Sequence, residues 1–68
     1  MNITETRKLL NIIEKVKGPN AWLIAAAEHD VVYLELEIAD VPQDSADGKI
    51  LDELGCSVDE FGGWILYV

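Results

Sequence analysis

A chain of 68 residues, half of them apolar, is long enough for one domain over residues 1–68, with a core near the lower size limit and little stability to spare for a deep catalytic cavity. Thirteen acids against five Lys and Arg give a net charge of −8, a field that repels nucleic acid and membrane surfaces and attracts basic proteins. The single Cys56 excludes an intramolecular disulfide, no leader-like apolar run follows a basic start, and the longest apolar runs (21–27 and 64–68) are far short of the ~20 residues of a membrane helix, so a soluble, cytoplasmic protein is expected.

Leu9, Ile12, Ile13 and Val16 repeat at the helical spacing i, i+3, i+4, i+7, and predict a first helix with one apolar stripe. Asn2 followed by Glu5 reads as a capping box, Lys15 and Lys17 suit the last turn, and Gly18-Pro19 stops the element. Two strand-like runs follow, "AWLIAAA" and "VVYLELEIA", joined around "EHD". In the second, Val32, Leu34, Leu36 and Ile38 alternate with Val31, Tyr33, Glu35 and Glu37, so one face is apolar and the other acidic. The register depends on the turn: a two-residue His29-Asp30 turn sets Ala21, Leu23, Ala25 and Ala27 against the core, whereas a three-residue loop from Glu28 to Asp30 aligns Trp22, Ile24 and Ala26 with Val32, Leu34 and Leu36. The second is preferred because it buries the tryptophan. It leaves Leu23, Tyr33, Glu35 and Glu37 together on the outer face. That face is the candidate contact surface, and an ordinary solvated sheet face is the alternative.

"DVPQDSADG" is rich in turn and cap residues, and Ile50, Leu51 and Leu54 then point to a second helix ending at Gly55. Asp44 with Asp47, or Asp40 with Gln43, are the expected starts, and acids there suit the positive end of the helix dipole. Asp40, Asp44 and Asp47 extend the candidate acidic contact surface. They do not form a calcium loop: with Gly48 at the sixth position, Gln43 would stand at the first and Leu54 at the twelfth.

The tail "DEFGGWILYV" lacks the glycine spacing and the lysine of a phosphate loop, and "EFG" has none of the motifs that accompany a kinase magnesium site. Gly62-Gly63 instead reads as a tight turn that folds "SVDEF" back on a last strand "WILYV". A Cys56–His29 dyad would need a hairpin tip and a post-helix loop to meet, and His29 with one cysteine makes no zinc site, so neither catalysis nor any metal or cofactor is expected.

The order α-β-β-α-β, with a short extra strand before the last, predicts an α+β fold: an antiparallel sheet of three or four strands with both helices on one face, similar to a ferredoxin-like unit missing its first strand. Charge divides unevenly along it: residues 1–27 carry +2 and residues 28–68 carry −10. The tail "KILDELGCSVDEFGGWILYV" resembles a pattern in small uncharacterised phage and prophage proteins, with a helix ending in Leu-Gly, an acidic turn and a Trp-led strand. In general character the chain is also similar to phage inhibitors of restriction and CRISPR enzymes, several of which present carboxylates where a nuclease expects phosphates. The resemblance implies a non-enzymatic partner for a basic protein, such as a nuclease or other nucleic-acid enzyme. A structural or assembly role, as a homodimer or complex subunit, is the alternative.

Overall fold

The computed structural model describes residues 1–67. Helix α1 spans Ile3–Lys17 and opens on the expected capping box: Asn2 Oδ1 accepts from the Glu5 N–H at 2.8 Å, and Glu5 Oε1 accepts from the Asn2 N–H at 3.0 Å. It ends at Gly18, whose φ of 97° is open to glycine and whose N–H donates to the Glu14 carbonyl at 2.8 Å. Strands β1 (Ile24–Glu28) and β2 (Val31–Glu37) form the hairpin, helix α2 covers Ala46–Glu53, and β3 (Cys56–Val58) and β4 (Gly63–Tyr67) close the fold. The four strands make one antiparallel sheet in the order β1-β2-β4-β3, so the expected α+β architecture, including the short strand before the last, is the one observed. The last strand was expected to run to Val68, which lies outside the described residues.

One apolar cluster explains the layering. Leu9, Ile12 and Ile13 of α1 and Leu51 of α2 pack with Leu34, Leu36, Cys56 and Trp64 of the sheet and with Val41 of the β2–α2 connection. Both helices therefore lie on the face of these strand residues. The Trp64 indole N–H donates to the Val41 carbonyl at 2.9 Å, which ties the connection to the centre of the sheet and satisfies the ring's polar atom in a dry site.

The hairpin combines both registers that the sequence leaves open. Its turn is the two-residue one, with Glu28 opposite Val31 and Ala27 opposite Val32, but a bulge at Ala25 shifts the pairing to Ile24 opposite Leu34. The preferred three-residue loop is thus corrected, and its register appears only beyond the bulge. Trp22 is not buried: it is 79% exposed, while its neighbours Ala21 and Leu23 pack against the core. The chain leaves the regular strand at this point, and the indole is left outside.

Helix α2 is capped one residue after Asp44 and five after Asp40, the two expected acidic starts. Its N-cap is Ser45, whose Oγ accepts from the Gly48 N–H at 3.0 Å and donates to the Pro42 carbonyl at 2.6 Å. Asp44 and Asp40 are therefore not the caps. A hydroxyl can both accept from the helix and donate to the preceding turn, which an ionised aspartate cannot do.

Candidate functional site

With both helices on one side, the opposite face of the sheet is left without a covering layer. Register places Ala26, Tyr33, Ile65 and Ser57 side by side across it, with Glu28, Val31 and Tyr67 in the next row. Tyr33 is half-buried, whereas Glu35 and Glu37 are exposed. Ile65 is only 4% exposed yet stands outside the helix-side cluster, so it is covered by its neighbours on this face rather than presented to solvent. The sequence reading missed Ile65 because "WILYV" shows no polar alternation to tell its two faces apart.

The ladder beside the two glutamates is irregular. From Tyr33 to Glu37 β2 takes four steps, while its partner β4 takes two, from Ile65 to Gly63. The bowed segment turns Leu34 and Leu36 into the core and leaves Glu35 outward.

The other candidate residues go elsewhere. Leu23 was expected beside Glu35 on the outer face. Its carbonyl does accept from the Glu35 N–H at 3.1 Å, but the side chain packs on the core and lines a shallow groove with Leu10, Ile13, Pro19 and Ala21. The bend at Leu23 turns an apolar side chain towards α1 and away from water. Asp40 pairs with Lys17 at 3.0 Å and accepts from the Glu37 N–H at 3.1 Å, so its carboxylate is engaged within the fold. The hydrogen bond from Lys17 is the first cause holding the Asp40 carboxyl below its ordinary 3.8, and the same contact raises Lys17 above 10.5, with Glu37 and Glu35 adding to the effect. Asp47, in the first turn of α2, pairs with Lys15 of α1. Asp44 stands exposed in the loop before Ser45. Of the seven candidates, the structure brings together Tyr33, Glu35 and Glu37.

The distribution of charge by layer is sharper than its distribution along the chain. Every charged residue within the four strands is acidic, namely Glu28, Glu35 and Glu37. All five Lys and Arg lie on the helices: Arg7, Lys8, Lys15 and Lys17 on α1, and Lys49 on α2. Two of those cations are already bound to Asp40 and Asp47.

Cys56 is buried in the core, and burial pushes its thiol up, away from the reactive thiolate. His29 sits exposed in the β1–β2 turn, so the two do not share a site. A cleft of about 290 Å³ lies between α2 and β3, lined by Lys49, Asp52 and Cys56 among others; it contains none of the seven contact-surface candidates. Among the described residues no three His, Cys, Asp or Glu side chains converge as a metal site, and no helix is long and apolar enough to cross a membrane. Comparison with protein-family models, with curated proteins and with solved structures gave no match.

Proposed function

We propose that this chain is a non-enzymatic binding domain whose acidic sheet layer docks on a basic protein in the cytoplasm. The observation that carries the reading is the segregation of charge: the sheet face away from the helices carries Tyr33, Glu35 and Glu37, and among the described residues no strand carries a cation. A half-buried tyrosine beside exposed carboxylates suits a partner surface rich in lysine and arginine. The partner class proposed is a nucleic-acid-handling enzyme, inhibited because carboxylates occupy the basic groove that phosphates would fill, in the manner of the phage inhibitors that the chain resembles.

The test is capture of partners from a host-cell lysate on the immobilised protein at low and high salt, read by mass spectrometry, beside the variant Glu35→Lys with Glu37→Lys. A basic nucleic-acid enzyme that is retained at low salt, released at high salt and lost with the double reversal is the expected result. Retention that is indifferent to the reversal removes this face from the proposal.

One observation favours the alternative of self-assembly. All five residues of the edge strand β1 are exposed, which leaves a row of backbone groups open to a second copy. Because two chains of charge −8 repel, such a dimer would tighten with added salt, the opposite of the response proposed for a basic partner. Sedimentation at low and high salt separates the two.

A further inference from the structure

We infer that β1 exchanges between two registers on β2 by migration of its bulge, so that the acidic sheet layer exists in two forms, with and without Glu28. Both registers are present in the hairpin. Between the turn and the bulge, Glu28 faces Val31 and Ala27 faces Val32. Beyond it Ile24 faces Leu34, and the Leu23 carbonyl accepts from the Glu35 N–H at 3.1 Å, pairings that belong to the register displaced by one residue. Moving the extra residue from Ala25 to the turn would carry the displaced register through the whole strand. Ala26 would then face Val32, Ala27 would face Val31, and Glu28 would enter a three-residue loop.

The side chains of β1 specify its register weakly. A slip of one residue turns each side chain to the other face, which in most strands exchanges core for solvent. Here the residues between the bulge and Glu28 are Ala25, Ala26 and Ala27, so alanine replaces alanine on both faces. All five residues of β1 are exposed, and the core pins neither face of the strand. From Ile24 back the pairing is the same in both registers, so Leu23 keeps its place against the core throughout.

The turn is equally undecided. Two-residue hairpins favour primed turns with positive φ, because unprimed turns splay the strands. Among the described residues none but glycine has a positive φ, so His29-Asp30 is not a primed turn. The competing three-residue loop needs a left-handed residue at its third position, and there it has Asp30, one of the side chains that enters that region most readily. Glu28 is the charge that moves between the two forms. In the observed register it lies across from Val31, in the row that continues to Tyr67; in the loop it leaves that row, and the strands keep Glu35 and Glu37. A partner that touches Glu28 in the ladder therefore favours the observed register by that contact alone. The exchange does not depend on whether the acidic face is the one that docks.

The experiment is relaxation-dispersion and saturation-transfer NMR on the intact labelled protein, beside two variants. His29→Asn with Asp30→Gly supplies the pair that a primed two-residue turn prefers, and deletion of Ala25 removes the extra residue while keeping the pairings on either side of it. The expected result for the parent is a minor state of about 0.1–10%, exchanging on the μs–ms scale and confined to residues 25–33. Both variants should lose that exchange and retain the contact between Ala27 and Val32. A parent with no exchange in this segment overturns the inference, as does exchange spread over the whole domain, which would report global unfolding. Exchange that persists in either variant also overturns it, because the motion would then not be the migration of this bulge.

Discussion

Gly48 shows how a single atom can outweigh a propensity. Alanine is the better helix former by about 1 kcal/mol, so propensity alone makes Gly48→Ala in α2 stabilising. The Cβ, however, would lie 2.1 Å from the Pro42 carbonyl oxygen and 2.7 Å from that of Gln43, and both are backbone atoms that cannot rotate aside. Overpacking of this kind costs about 1–3 kcal/mol, and with two close backbone contacts the upper end is expected. Urea denaturation should therefore show Gly48→Ala less stable than the parent, and a gain in stability would mean that the turn before α2 yields easily. Trp64 presents the converse case, where removing an atom leaves a partner unpaired. Trp64→Phe keeps most of the ring but withdraws the N–H from the buried contact with Val41. A loss of about 1–3 kcal/mol in the same measurement is expected, since the carbonyl is left without its donor in the core.

At the scale of the element, the ion pair from α1 to the loop after β2 sets a pH window. Asp40 has a folded pKa below 3.8, so its contribution is complete above that value and is lost as pH falls through the depressed one. Lys17 is raised above 10.5, so its contribution is complete below that value and is lost as pH rises through the raised one. Asp40→Asn should accordingly destabilise the fold between these limits, and the two proteins should converge as acid protonates Asp40; a difference that does not change with pH would assign the effect to the Glu37 N–H contact instead. Such long-range pairs were invisible in the sequence, whereas local signals were legible. The box of Asn2 and Glu5 and the stop at Gly18 fixed α1 because each acts within a few residues of itself. The hairpin was only half legible, since Glu28-His29-Asp30 permits either turn length, and the bulge at Ala25 lets the strand use both registers in succession. Leu23 and Trp22 were exchanged for the same reason: one slipped residue exchanges core and solvent. The pairs of Tyr33 with Glu35 and Glu37 survived because they depend on alternation within β2 alone.

Across the whole molecule, charge and size together predict how stability responds to salt. The body measures 27 × 24 × 23 Å and carries a net charge of −8. At about 0.01 M ionic strength the screening length is about 30 Å, so nearly every acid repels every other across the fold; at about 0.15 M it is about 8 Å, and only neighbours interact. Two opposing effects follow, because the same salt also weakens the attraction of Lys17 for Asp40 and of Lys15 for Asp47. Both pairs are solvent-accessible and few, whereas the repulsion involves all thirteen acids, so relief of repulsion should prevail and the melting temperature should rise with salt. Glu35→Lys with Glu37→Lys changes the net charge from −8 to −4, and the rise should then be clearly shallower. Thermal denaturation of both proteins across that salt range decides the matter. A melting temperature that falls with salt would mean that the two ion pairs contribute more than the acidic field removes, and that the excess of carboxylates on the sheet layer is tolerated in the folded chain at little cost to its stability.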